Sequence, residues 1–449
     1  MAEKGPSGRG LVLCADFGST FTKAALVELG SGALVGTASY PTTIDTDVMD
    51  GLDACRDALG VDDSAHTLAC SSAGGGLRLA VVGYERAVTA EAGHRVGLSA
   101  GARVEHVTAG PMTGSDLDEV LASRPDVVLL VGGTDGGNTE ILRHNAGRIA
   151  ARRLRIPVVV AGNVEARDEV VATLAAREVP TVATANVLPD IGRLDATPAR
   201  EAIREVFLRH VIGGKGLSRR ADFPGLVRAA TPDAVLAGVE MLADGFGDVP
   251  GAGDVLVLDV GGATTDVYSV VTPVGEDAEI RRDVVEILWR SRTVEGDLGM
   301  RWGAEGVVEA AVAERLVAAE EADSLRAEAK LRTADPAYLP GDPQAVAVDA
   351  RIGELAATVA LRRHGRGGKN LREVKVAVGS GGVLRHGSED VRRQVLSPVT
   401  RDLAGGWPLP DHARVVVDDE YVLAAAGLLS ADHPETAARL LGRHLLPRR

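Results

Sequence analysis

The chain begins twice in the same way. An apolar run, Leu11-Val12-Leu13-Cys14-Ala15, stops at Asp16-Phe17-Gly18-Ser19-Thr20 and is followed by a second strand-like run from Thr22 to Leu29. Much later Val255-Leu256-Val257-Leu258 stops at Asp259-Val260-Gly261-Gly262-Ala263-Thr264-Thr265-Asp266, and a run from Thr265 to Val271 follows. A strand that ends on a carboxylate, turns through glycine and hydroxyl residues and doubles back is a defined local geometry. Its recurrence at equivalent strand ends predicts two similar α/β halves whose turns can face each other.

The residues between and after these starts support an α/β chain. Gly30-Ser31-Gly32 is a hairpin signal before a strand from Ala33 to Ser39, and Asp50 to Leu59 reads as a short helix. His66 to Ser71 and Leu77 to Val82 are strand-like, with Ser72-Ala73-Gly74-Gly75-Gly76 between them. Strands at Val104–Thr108, Val127–Val131, Ile156–Ala161 and Thr181–Val187 then alternate with helical stretches at Ala90–Ala100, Asp116–Ser123 and Glu165–Ala176. Continuous apolar runs alternating with helices predict a parallel sheet covered on both faces. Pro189 to Leu242 reads as mainly helical, and Pro250 to Gly253 punctuates the chain before its second start. Ala304 to Leu331 reads as a long, Ala/Glu-rich helical region and Leu339 to Pro343 as a loop; a helix is expected from about Asp349 as its N-cap. Val374 to Val378 is a strand meeting Gly379-Ser380-Gly381-Gly382, and the last clear helix runs from Tyr421 to Leu429.

Composition narrows the partners. With 449 residues the chain is comfortable for two domains, and 45% hydrophobic residues allow sizeable cores. A net charge of −14 and only 3% aromatics argue against a nucleic-acid surface, which needs basic stripes and stacking platforms. Cys14, Cys55 and Cys70 form no Cys-x-x-Cys pair, so no zinc or cluster site is signalled and a reducing cytosol is expected. The histidines show no paired helical spacing. The polar leader from Met1 to Gly10 has no secretory apolar core and no run is long enough to span a membrane, so a soluble, cytoplasmic protein is expected.

The turns carry the chemistry. After Asp16, the backbone and hydroxyls of Gly18, Ser19 and Thr20 can form a small anion-binding concavity, glycine allowing close approach. A carboxylate beside a phosphate requires a cation between them, and Mg²⁺ suits that place because it keeps waters and takes one or two carboxylates plus phosphates. Lys23 can return to the same face as a counter-charge. Taken alone, this turn reads first as an ordinary Asp-capped β-turn. The second turn repeats the set with Asp259, Gly261, Gly262, Thr264 and Thr265, and two such turns could grip a polyphosphate and Mg²⁺ from both sides. Backbone N–H groups of Gly261 and Gly262 are expected at the phosphate. Gly379, Ser380, Gly381 and Gly382 could let an adenine or ribose lie against bare backbone. His210-Val-Ile-Gly-Gly-Lys215-Gly lacks the Walker spacing, and Ser71-Ser72 lacks a nucleophile elbow. Gly132-Gly133-Thr134-Asp135-Gly136-Gly137 lacks the dinucleotide order; it is either a ligand- or partner-facing loop or a plain turn.

In order along the chain, Asp16-x-Gly-Ser-Thr, Asp259-x-Gly-Gly-x-Thr-x-Asp, Gly379-Ser-Gly-Gly and the helix from Tyr421 resemble the actin/Hsp70/sugar-kinase superfamily. They resemble its two phosphate loops, its adenosine loop and its second connecting helix. The resemblance implies two actin-like ATPase (ribonuclease H-like) domains around a nucleotide cleft. It places a first domain with a large α/β insertion at 1–250, a second at 251–414 and a C-terminal connecting helix returning to the first at 415–449. Cys70-Ser-Ser-Ala-Gly-Gly-Gly-Leu-Arg, Leu129-Leu-Val-Gly-Gly-Thr-Asp-Gly-Gly-Asn and Val257-Leu-Asp-Val-Gly-Gly-Ala-Thr-Thr-Asp-Val-Tyr further resemble the glutamate (methylaspartate) mutase accessory family of MutL or GlmL type. That family resemblance implies an ATP- and Mg²⁺-using reactivating ATPase that serves an adenosylcobalamin-dependent mutase. Asp16 and Asp259 would then order the metal and the attacking water, with the mutase subunits as partners and a homo-oligomer left open. A small-molecule kinase of the same superfold is the alternative, with Asp266 or Asp135 as its base. A catalytic mutase subunit would need an Asp-x-His-x-x-Gly signature absent from the sequence, and a cluster-bearing dehydratase activator would need cysteine ligands the chain lacks.

Overall fold

In the computed structural model, residues 10–62, 65–73, 77–100, 102–212, 216–272, 290–366, 370–402, 406–410 and 412–446 are described. Gly74–Gly76, Lys215 and the leader up to residue 9, all read in the sequence, lie outside them. The described residues fall into two compact units. The first takes those within Met1–Ala73, Ser218–Thr272 and Trp289–Arg449, and the second those within Gly74–Leu217.

The first unit holds two sheets of one design. Strands β1 (Leu11–Phe17), β2 (Phe21–Glu28) and β3 (Ala33–Pro41) form an antiparallel meander, and β4 (His66–Ser71) lies parallel to β1. In the second unit come β5 (Leu77–Gly83), β6 (Ala102–Ala109), β7 (Val127–Leu130), β8 (Val158–Val160) and β9 (Thr181–Ala183). Back in the first unit, β10 (Val227–Ala230) adds parallel to β4, and a short hairpin of β11 (Gly245–Phe246) and β12 (Val249–Pro250) precedes the second sheet. That sheet repeats the plan. Strands β13 (Val255–Val260), β14 (Thr265–Val270) and β15 (Arg290–Glu295) form the meander, and β16 (Val376–Ser380) and β17 (Arg414–Val417) follow in parallel. The orders are β10-β4-β1-β2-β3 and β15-β14-β13-β16-β17.

Helices sit at matching points. Val48–Leu59 separates β3 from β4, while Ala304–Ala313, Ala319–Ala334 and Pro343–Gly365 separate β15 from β16. Each sheet's fifth strand leads into one further helix, Thr231–Asp244 after β10 and Val422–Leu429 after β17. A three-strand meander, a helix, two parallel strands and a closing helix, made twice, is the ribonuclease H-like plan of the actin-like ATPase domains, as the sequence predicts. The second unit enters between β4 and β10.

The apolar runs are continuous because both faces of each central strand are buried. On β13, Val255 and Val257 face one core with Val12, Leu68 and the two closing helices. Leu256, Leu258 and Val260 face another with Ile352, Leu355 and Val395. Each such side chain contributes about 1.5–3 kcal/mol on burial. The closing helices meet at glycine: a Cβ on Gly238 would stand 2.1 Å from the Leu423 carbonyl oxygen, and one on Gly427 1.7 Å from that of Ala234. In the second unit β6-β5-β7-β8-β9 is wholly parallel, with Ile149 and Val170 of the flanking helices Glu140–Arg152 and Val164–Ala175 packed on Val128 and Val160.

Several expectations change. The long helical region expected from Ala304 to Leu331 consists of two helices, separated around Arg315, whose φ of 57° is left-handed. The helix expected from Asp349 starts at Pro343, because Asp342 caps it by accepting the Ala345 N–H at 2.9 Å. Asp349 is instead buried inside that helix, held by Arg332 at 2.6 Å and Arg301 at 2.9 Å. The stretch expected as mainly helical from Pro189 contains β10, and a further helix, Pro434–His444, follows the one at Val422–Leu429.

Candidate functional site

The two turns close identically. The Gly18 N–H donates to the Phe21 carbonyl at 3.1 Å, and the Gly261 N–H to that of Thr264 at 2.9 Å. Side chains are excluded at both: a Cβ would stand 2.5 Å from the Phe21 oxygen at Gly18 and 2.9 Å from the Thr264 oxygen at Gly261. Gly261 therefore uses its N–H within the turn instead of presenting it to a ligand, a change from the sequence expectation. The partly exposed tips are Ser19 and Thr20 in one turn, Gly262 and Ala263 in the other. These tips adjoin, since a Cβ on Gly262 would stand 3.0 Å from Thr20 Cγ2.

Asp16 lies opposite Lys23 in the β1–β2 register and is only 3% exposed. The Thr231 hydroxyl, at the start of one closing helix, donates to its Oδ1. The Tyr421 hydroxyl, at the start of the other, donates to Oδ2 at 3.0 Å. The Lys23 ammonium stands 3.8 Å from that oxygen and 3.7 Å above the Tyr421 ring centre. Burial, reinforced by the Asp16 charge, pushes the Cys70 thiol and the Tyr421 phenol well above their ordinary values. Tyr421 itself has a left-handed φ of 57°, a strain of about 1 kcal/mol or more in a non-glycine residue.

Asp259 lies opposite Asp266 on β14 and Ser380 on β16, and is partly exposed. Burial raises its carboxyl above the ordinary range and Asp16 adds to this, while Lys23 and the Ser380 hydroxyl oppose it. Asp266 is pushed up to about 7, first by burial and then by Asp259, against Arg292 and hydrogen bonds from Thr264 and Tyr268. The Tyr268 hydroxyl holds Asp266 Oδ2 at 3.1 Å, while Oδ1 is buried with no hydrogen-bond partner. Gly381 has φ 104° and its Cβ position lies 2.1 Å from the Val260 oxygen, so the 379–382 loop crosses directly over the second turn. Gly379 is packed against Leu384 and Leu396, and around Gly382 a Cβ would meet nothing within 4 Å.

The structure thus brings Asp16, Lys23, the two turn tips, Asp259, Ser380 and Gly381 together. It does not bring Thr265: its side chain is fully buried on the sheet face opposite Asp259, with its hydroxyl lacking a partner. Asp135 belongs to the second unit, where its Oδ1 accepts from the Val164 N–H at 3.1 Å and the Asn186 amide at 2.9 Å. The loop from Gly132 to Asn138 is thereby tied to the segments around Asn163 and Asn186, with the Asn163 amide donating to the Thr134 and Gly137 carbonyls.

Three contributors escape a reading of the sequence. Thr231 and Tyr421 reach Asp16 from far along the chain. The third is the segment from Asp297 to Gly306, which cradles the second turn: Met300 N–H donates to the Gly261 oxygen at 2.9 Å, and Arg301 and Trp302 N–H to the Gly262 oxygen at 2.8 and 3.0 Å. Its signal was Gly299, Gly303 and Gly306 at helical spacing, each with no room for a Cβ.

Comparison with known proteins adds sequence kinship to this geometry. The family model described as MutL protein matches residues 12–445. A protein called Protein MutL, from Clostridium tetanomorphum, is 34% identical over 458 residues, covering 97% of this chain and 99% of that one. Among solved structures, nucleotide-free acetone carboxylase matches at 15% identity and a TM-score of 0.43, over 94% of this chain and 71% of that one. The 2-hydroxyisocaproyl-CoA dehydratase activator from Clostridium difficile with bound ADPNP matches at 8% identity and a TM-score of 0.33, over 98% and 99%. Scores this low add nothing to the strand order, on which the fold rests.

Proposed function

We propose, from the premise that this chain belongs to the MutL protein family, that it binds and hydrolyses Mg²⁺-ATP as a cytoplasmic accessory protein that reactivates an adenosylcobalamin-dependent mutase. The observation that carries the ATP part is the meeting of the two Asp-Gly turns, with Gly262 against Thr20 and Asp16, Lys23 and Asp259 acting on one another electrostatically. The mutase part rests on the family resemblance.

The residues fit the nucleotide and its metal. No side chain fits at Gly18 or Gly261 within the turns, and a Cβ at Gly262 would narrow the gap to Thr20 between their tips. Asp259 is the carboxylate better placed for a hydrated cation, being partly exposed with Ser380 as its hydrogen-bond donor. Asp16, with Thr231 and Tyr421 on its two oxygens, would act on the cation's waters from outside. Mg²⁺-ATP would supply the anhydride and the charge that polarises it. Lys23 would balance phosphate charge, Asp259 would orient a water for attack, and Gly381 and Gly382 would leave room for the nucleoside. Asp266, held near neutrality in its titration, is the nearby group able to store a proton beside Asp259.

No described helix is long and apolar enough to cross a membrane. ATP-driven change between domain arrangements would release a damaged cofactor from the mutase, provided ATP and ADP prefer different arrangements. The test is a titration calorimetry isotherm with Mg²⁺-ATP, followed by phosphate release and by recovery of a stalled mutase given fresh adenosylcobalamin. Saturable ATP binding with recovery that depends on hydrolysis is expected. Absence of binding at millimolar ATP would sink the ATPase reading, and hydrolysis with no recovery would sink the mutase reading.

A further inference from the structure

The Tyr421 ring cannot follow Lys23 if a ligand draws the lysine away. It stands on a four-residue strap from Asp418 to Tyr421 that is fixed on both sides. On the second-sheet side the Asp418 N–H donates to the Gly379 carbonyl at 2.9 Å, and Asp419 pairs with Arg392 at 2.7 Å. On the first-sheet side the Thr37 hydroxyl donates to Glu420 at 3.1 Å and the Tyr421 hydroxyl to Asp16 at 3.0 Å. Asp418 also caps the closing helix by accepting the Val422 and Leu423 N–H groups at 2.8 and 3.1 Å. The crevice beside the strap is lined by Asp16, Lys23, Thr37, Arg385, Glu420 and Tyr421.

Over this fixed ring the Lys23 ammonium stands 3.7 Å from the centre, well inside the range at which an aromatic face attracts a cation. A phosphate seated at the first turn would compete for the ammonium with that face and with Asp16, 3.8 Å away. We propose that Tyr421 is a positioning residue that holds Lys23 in reserve, so that polyphosphate binding requires the ammonium to exchange the ring for the phosphate. This rests on the ATP reading of the same site and adds to it a residue that opposes binding.

A residue with a purely structural part would weaken ATP binding when removed; Tyr421 should do the opposite. Isotherms with Mg²⁺-ATP are measured for the wild type, Tyr421→Leu, Tyr421→Phe, Lys23→Ala and the Lys23→Ala/Tyr421→Leu pair. Tyr421→Leu should tighten ATP by about 2- to 5-fold, the worth of a modest cation–π contact. Tyr421→Phe keeps the ring and should show less than half of that change. In the Lys23→Ala background Tyr421→Leu should change affinity by less than about 1.5-fold, since the coupling runs through the lysine. Should the leucine variant not fold, pentafluorophenylalanine at position 421 keeps the shape while removing the ring's negative face, and should tighten binding likewise. Weaker binding in the position-421 variants that keep Lys23, or the same change with and without Lys23, overturns the proposal while leaving the ATPase reading intact. A wild-type chain that binds no ATP overturns both.

Discussion

At the residue scale, the two aspartates of the second turn separate binding, chemistry and stability. Asp259→Asn keeps the Ser380 neighbour and the turn's backbone but removes the charge that would order metal-bound waters. Hydrolysis should fall by about 10²-fold or more while ATP affinity changes little. A phosphate-release assay beside an isotherm checks this, and normal turnover in the variant would make the turn structural. Asp266 makes a different prediction. Because burial lifts its value in the fold to about 7, the folded chain holds a proton that the unfolded chain releases. That stabilisation is complete below about pH 4 and is lost as pH rises through about 7. Asp418, raised by burial to about 6, acts in the same direction. Asp266→Asn should therefore gain on the wild type between pH 5 and 8, by on the order of 1–3 kcal/mol at the upper end. Urea titrations across that range would show it, and a pH-independent difference would exclude it. Both aspartates were legible in the sequence because each lies beside glycine and hydroxyl residues. Thr231 and Tyr421 were not, since a hydroxyl at a helix start gives no local sign that it will meet a carboxylate 215 or 405 residues away.

At the element scale, glycine decides how the two closing helices meet. Gly427 and Gly238 face carbonyl oxygens of the opposite helix so closely that any Cβ must push the pair apart. Gly427→Ala should lower stability by roughly 1–3 kcal/mol, as overpacking does. Gly147→Ala is the contrasting case: that glycine lies within Glu140–Arg152 and a Cβ would meet nothing within 4 Å. It should stabilise by about 0.5–1 kcal/mol through helix propensity. Equal effects of the two substitutions would mean the helix contact is not tight. Ala424 to Gly427 are all small enough for such a close approach, but nothing in the sequence identifies the helix they meet. The sequence revealed the central strands, whose apolar runs are unbroken, and the edges β3, β6 and β9, but hid the edges β10, β15 and β17. In β15, Arg292 is buried beside Tyr268 and near Asp266, so a charged run forms a strand only because tertiary neighbours balance it. In β10, Val-Arg-Ala-Ala has the composition of a helix, and pairing with β4 overrides that preference. Asp349 misled for a related reason: an aspartate before an apolar run reads as a cap, while here two arginines bury it inside the helix.

At the scale of the whole molecule, the candidate site and the inserted sheet belong to different cores. Asp16, Lys23, Asp259, Ser380, Gly381 and Tyr421 all lie in the unit that contains both repeated sheets. The parallel sheet from β5 to β9 has a core of its own around Val128, Leu130, Ile149 and Val160. Separate cores allow separate unfolding, so a calorimetric scan should resolve two transitions instead of one. On the proposed function Mg²⁺-ATP would bind the folded site only, and at about 100 times its Kd it should add roughly 2.7 kcal/mol to the stability of the unit that forms it. Only one transition should therefore move when nucleotide is added. The two glycine variants identify which: Gly427→Ala should lower the transition that ATP raises, and Gly147→Ala should raise the other. If ATP shifted the transition that responds to Gly147→Ala, the nucleotide would bind in the inserted sheet, and the paired Asp-Gly turns would be scaffolding.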